Sequence, residues 1–147
     1  MKTKILFFSL FIGLFVLTTA CNNDDDPKPP TELIGQWKCL GFGNTNGEFR
    51  AIEPTERAEV IYILHFKNDF TLSSATSTNS IWGKYNTYDS QTIKILLAST
   101  NVAEFEDGGK YIKSLYDADH YSFTKKGNLQ LFYSDTEYLL FNPLKLK

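Results

Sequence analysis

The groups with which this chain could do chemistry are few: two cysteines, two histidines, two arginines and some clustered carboxylates. Cys21 follows Thr18-Thr19-Ala20, small residues that end an apolar run. A cysteine in that place is positioned for cleavage on its N-terminal side and for acylation of its sulfur. Cys39 then has no partner, so no intrachain disulfide is expected, and next to Trp37-Lys38 it reads as a small inward-facing hydrophobe. His65 and His120 are far apart in sequence and lack the short spacing of a metal pair. No Gly-x-Ser-x-Gly elbow accompanies them. Glu104, Glu106 and Asp107 have the proximity that proton transfer needs, but they also stand where a helix N-terminus favours negative charge. Arg50 and Arg57 are suited to clamping an acidic ligand or, more simply, to surface ion pairs. Asp24, Asp25 and Asp26 read as a solvated charge run rather than a cation site. No catalytic constellation assembles from these residues. The expectation is a non-enzymatic protein with no metal and no cofactor beyond a covalent lipid on Cys21.

Contact chemistry is a better prospect than catalysis. The chain has 2 Trp, 8 Tyr and 12 Phe, and many fall in strand-like segments. Aromatic side chains either fill a small β core or line a surface that grips apolar ligands, sugars or proteins. Trp37, Tyr62, Trp82 and Tyr85 are the candidate ligand or partner contacts. Trp82 and Lys84 alternate with Gly83 and Tyr85, so the face that turns outward decides whether Trp82 is the contact residue.

These residues are carried by a chain of three parts. Met1-Lys2-Thr3-Lys4 is a basic head, and Ile5 to Leu17 is almost unbroken apolar. With the small residues before Cys21, residues 1–20 resemble a bacterial lipoprotein signal of the relaxed kind frequent in Bacteroidetes-like lipoproteins. An apolar run of about 13 residues is short of the roughly 20 that a membrane-spanning helix needs. Residues 21–32 read as an acidic, proline-rich tether. An acidic cluster just after such a cysteine resembles a surface-export signal. The expected location is the bacterial outer membrane, on its periplasmic face or at the cell surface. Removal of Lys2 and Lys4 leaves 13 basic residues against 17 acidic ones, a net charge of −4. No basic stripe tracks a phosphate backbone, which argues against nucleic acid as a partner.

Residues 33–143 read as one domain, with 144–147 as a tail. Leu33–Phe42 alternates Trp37 and Cys39 against Gln36 and Lys38, the pattern of a strand. Residues 43–54 read as a loop. Val60–Phe66 is apolar on both faces and reads as a central strand. Lys67-Asn68-Asp69 turns into Phe70–Ser73, residues 73–80 read as a loop, and Ile81–Tyr88 and Thr92–Ala98 form a hairpin. The period then changes. Ile112, Leu115 and Tyr116 mark the stripe of a short helix, with Asp107 placed to cap its first turn. His120–Thr124, Asn128–Tyr133 and Glu137–Asn142 close the chain at tight hairpin spacings. The fold class is mainly β: about eight antiparallel strands in a meander, curled into a barrel or half-open sandwich, with one short helix after the fifth strand.

Several of these residues stand in the order of a known group. Gly35-Gln36-Trp37-Lys38 opens the domain, and Phe66 turns through Asn68-Asp69 into Phe70. Asn79 precedes Gly83 by four residues, with Tyr85 two further on. Ile93 and Ile95 precede Ser99-Thr100, and Glu104 to Leu115 supplies the helix. Leu129-Gln130-Leu131 and Leu139-Leu140-Phe141 end it. Over residues 33–143 the chain resembles the META-domain group of small bacterial lipoproteins, some of them heat-inducible. It departs from that group in lacking a cysteine near the central Asn motif and another near the helix. The resemblance implies a lipid-anchored domain with an interaction role linked to envelope stress, its partners being the membrane and an envelope protein. The Gly-x-Trp opening is shared with lipocalin-like barrels, which implies the alternative of a carrier for a small hydrophobic ligand in a barrel cavity.

Overall fold

A computed structural model describes residues 27–54 and 60–145; Cys21, Asp24–Asp26 and Arg57 lie outside the described residues. The strands are β1 (Gly35–Asn44), β2 (Phe49–Ala51), β3 (Ile63–Phe66), β4 (Thr71–Ala75), β5 (Ser80–Thr87) and β6 (Ile93–Ser99). One helix, α1 (Gly108–Asp117), precedes β7 (His120–Phe123), β8 (Leu129–Phe132) and β9 (Glu137–Leu144). All pairings between them are antiparallel, in the order β6-β5-β4-β3-β1-β9-β8-β7, with β2 appended to β1. The sheet curls into a half-barrel. Its two ends meet where Thr92 bridges His120 and where Ile93 N–H donates to Asp119 O at 2.9 Å. Along the rest of β6 the gap is filled by α1, which packs against β6 and β9. The helix therefore follows the fifth of the eight main strands.

Alternation sets the two faces. On β1, Trp37 and Cys39 point inward while Gln36 and Lys38 are half-exposed. The interior is filled by aromatic rings in contact: Tyr62 on Tyr111 at 5.0 Å, Phe66 on Tyr85 at 4.8 Å and Trp37 on Phe123 at 5.8 Å between centroids. Each buried ring of this kind contributes about 1.5–3 kcal/mol. Cys39 is buried among them, and burial pushes its thiol pKa up to about 12.

Several expectations need correction. The segment 43–54 is not wholly loop. Its turn is held by Asn44, whose side-chain oxygen accepts from Asn46 N–H (2.9 Å) and Glu48 N–H (3.2 Å), and it leads into β2. All three residues of β2 are exposed, so no hydrophobic alternation marks it. A Cβ on Gly41 would lie 2.1 Å from Arg50 O, so β2 approaches this closely only because residue 41 is glycine. The strand expected over Val60–Phe66 is central but starts at Ile63. Tyr62 has φ 57°, which breaks the extended run and leaves Val60 exposed. β4 extends to Ala75, into the expected Ser/Thr loop. The helix stripe is turned by one residue: Tyr111, Ser114 and Leu115 face the core, while Tyr116 is exposed. The last strand passes Asn142 and runs through Pro143 to Leu144. Proline fits there because β8 has ended at the Leu129–Phe141 pair, so no ladder partner waits on that side for an N–H. Packing also begins earlier than Leu33, since Pro29 is already buried.

Candidate functional site

Strands β4, β5 and β6 turn one row of side chains inward and one outward. Leu72, Ile81, Tyr85, Ile93 and Ile95 go into the core. Thr71 and Ser73, Trp82 and Lys84, and Leu96 and Ala98 go outward. Register places Ser73, Trp82 and Ala98 in one row, and Thr71, Lys84 and Leu96 in the next. Trp82 and Leu96 are thus diagonal neighbours, within reach of an indole. They stay 50% and 58% exposed respectively, large apolar groups side by side on an open face. Together with Lys67 they border a shallow cleft of about 540 Å³. Gly83 lies in its floor. A Cβ there would lie 2.1 Å from Leu96 O, so glycine lets β5 and β6 close up behind Trp82. The cleft lining carries two lysines, Lys67 and Lys84, and no carboxylate.

The other three sequence candidates are elsewhere. Trp37 is buried and its Nε1–H donates to Leu33 O at 2.8 Å. Tyr62 is buried and its hydroxyl donates to Glu53 O at 2.8 Å. Tyr85 is buried, donates to Lys67 O at 2.7 Å, and has its pKa pushed up to about 12 by desolvation. Only Trp82 of the four presents its ring to solvent. Leu96 and Lys67 were not singled out by sequence. The signal for Leu96 was present: Ile93, Ile95 and Leu97 share one face, which leaves a leucine on the other.

The polar residues around the start of α1 are engaged with one another. Asp107 makes no side-chain cap to the helix, contrary to expectation. Its carboxylate instead takes both Arg50 nitrogens, at 2.7 and 2.8 Å, and the Glu53 N–H at 2.8 Å. The Arg50 hydrogen bonds hold the Asp107 pKa below the usual carboxylate value. Glu104 accepts from Thr76 Oγ1 (2.8 Å), Thr78 Oγ1 (2.9 Å) and Asn79 Nδ2 (2.5 Å). The buried Asn79 also accepts from Thr100 Oγ1 and Val102 N–H, and donates to Val102 O. These carboxylates tie loops to the helix start. His120 stacks on Phe132 at 4.3 Å and pairs with Asp119 at 2.6 Å. Among the described residues, no three His, Cys, Asp or Glu residues are grouped to hold a metal ion, and no helix is long and apolar enough to cross a membrane.

No protein-family model matches the chain, and no curated protein does. Solved structures do. The fold is similar to that of a DUF4847 family protein from Bacteroides vulgatus ATCC 8482. That crystal structure has a TM-score of 0.60 at 19% identity, over 80% of this chain and 97% of its own. The NMR structure of a protein from Burkholderia xenovorans also has a TM-score of 0.60, at 20% identity over 82% of this chain and 92% of its own. At such identities the likeness is one of fold.

Proposed function

We propose that this chain is a lipid-anchored domain of the bacterial envelope with a non-enzymatic interaction role, and that the outer face of β4–β6 around Trp82 is its contact surface. The observation that carries the proposal is the side-by-side exposure of Trp82 and Leu96 over an apolar cleft. Aromatic anchors on an otherwise polar surface are the common form of binding hot spots. The ring-filled interior supports a surface contact over an internal ligand, because Trp37, Tyr62 and Ile95 pack against neighbours where a carrier would hold its cargo. The anchor itself rests on Cys21 and the signal-like residues before it. The likeness to META-domain lipoproteins supports an envelope-stress setting.

Two experiments test this. Cys21→Ser is expected to move the protein from the membrane to the soluble fraction and to remove the acyl mass from the chain. An unchanged distribution would end the anchor part of the proposal. A photo-crosslinking residue placed at Leu96 in envelope-bearing cells is expected to give a discrete adduct that Trp82→Ala abolishes. The same residue at Lys126, in the turn before β8, serves as the control. Equal labelling from both positions, or adducts indifferent to Trp82, would remove the surface assignment.

A further inference from the structure

The charge around Trp82 bears on the kind of partner, resting on the reading of this face as the contact surface. Lys67 and Lys84 border the cleft, and Lys94 follows Leu96 outward along β6, two residues nearer the strand start. Among the described residues none of the three has a carboxylate within ion-pair distance. The acids of the adjoining turns keep their charge, and Lys67 is near enough to Asp69 to help lower its pKa, but their hydrogen bonds go to their own turns. Asp69 accepts from Thr71 N–H and Oγ1, and Asp89 accepts from Gln91 and Thr92 N–H and from Thr92 Oγ1. A chain whose acids outnumber its bases thus gathers three lysines that make no ion-pair contact around an exposed tryptophan and leucine.

Position adds to charge. Gly35, where the N-terminal segment enters the sheet, pairs with Phe66, the residue before Lys67. Thr71, which holds Lys67 N–H through its carbonyl, pairs with Lys84, and Lys84 pairs with Leu96. The lysines therefore lie at the end of the sheet from which the tether leaves. Eight steps of chain run from Cys21 to the buried Pro29, a reach of at most about 29 Å. An anchored chain holds this end near the bilayer.

We propose that the outer face of β4–β6 docks on an anionic phospholipid surface. Trp82 and Leu96 enter the headgroup layer, and Lys67, Lys84 and Lys94 meet the lipid phosphates. Tryptophan is at home at that boundary, lysine stems extend across it, and a basic cluster is attracted to it. Docking through this face also orients the domain on the bilayer.

The test uses the chain acylated at Cys21, held on vesicles of phosphatidylcholine with or without phosphatidylglycerol. The acyl chain keeps it on both, so any difference reports the face. Trp82 is read as the difference between wild type and Trp82→Phe, because Trp37 is buried and common to both. The expected result is a blue shift and quenching by brominated acyl chains only with phosphatidylglycerol, reversed by about 1 M salt. Lys67→Ala, Lys84→Ala and Lys94→Ala should each lower the docked-to-free ratio by about fivefold. Quenching that is absent, equal on both vesicles or indifferent to the lysines would overturn the inference. If quenching is absent while Trp82→Ala still abolishes a cross-link to a second copy or another protein, the face remains a contact surface and its partner is protein. If both readouts fail, both proposals fall.

Discussion

At the scale of single residues, Asp107 shows how a plausible catalytic acid becomes a clasp. Sequence places it beside Glu104 and Glu106 at a helix start, a reasonable setting for proton transfer or for a cap. In the structure its oxygens take Arg50 and the Glu53 N–H, joining the helix start to the segment after β2. Arg50 also lies over the Phe42 ring at 4.9 Å, with Lys110 at 4.3 Å. No sequence rule pairs residues 50 and 107, because the contact exists only once β2 folds back on β1. Asp107→Asn should cost about 1 kcal/mol, the guanidinium being half in solvent. The pH dependence follows from the lowered pKa. The stabilisation is present above the unfolded carboxyl pKa of about 3.9 and is lost as pH falls through the lower folded value. Wild type and Asp107→Asn should therefore differ in thermal midpoint at neutral pH and converge in acid. A gap that persists undiminished well below pH 3.9 would show that the charge is not what matters.

At the scale of elements, periodicity revealed what it could reach. The alternation of β1, the β5–β6 hairpin and the three closing strands follow from residues that repeat every two positions against a buried face. Two features escaped because their cause is not periodic. β2 buries nothing, and the tilt of α1 toward Tyr111 depends on Tyr62, just before β3, and Phe141 on β9. The helix start depends on Glu104, which long-range hydrogen bonds hold in place. Gly108 is buried, and a Cβ on it would lie 1.9 Å from Glu104 Oε2. Glu104 cannot swing aside without leaving Thr76, Thr78 and Asn79. In an open helix Gly→Ala is favourable by roughly 0.5–1 kcal/mol. Here the sign should invert, with Gly108→Ala destabilising by about 1 kcal/mol or more. Adding Glu104→Ala should make the same change neutral or favourable relative to that background, a coupling that a double-mutant cycle reads directly. Additive effects of the two substitutions would mean that Glu104 does not hold the position.

At the scale of the whole molecule, the question is whether a curled sheet with a helix in its gap is a vessel or a solid body with a working surface. Sequence could not decide, because aromatic residues serve both purposes and the Gly-x-Trp opening is common to both. Packing bears on it more closely. Tyr111 reaches inward from α1, meets Tyr62 and Phe141, and shares a 2.8 Å hydrogen bond with Ser74, so the helix fills the space that a cargo would need. Removing that ring should convert the solid body into a vessel at a cost of about 3–5 kcal/mol. An apolar fluorescent dye offered to wild type should bind weakly at most, and whatever binds should be lost with Trp82→Ala, since the outer cleft is where an apolar molecule can rest. The same dye should bind Tyr111→Ala more tightly, with an emission that Trp82→Ala leaves unchanged, because that site lies behind the helix. If wild type takes up the dye in a form independent of Trp82, the interior opens in solution and the domain works as a carrier. A site confined to Trp82 leaves the outer face as the part of the molecule that meets its surroundings.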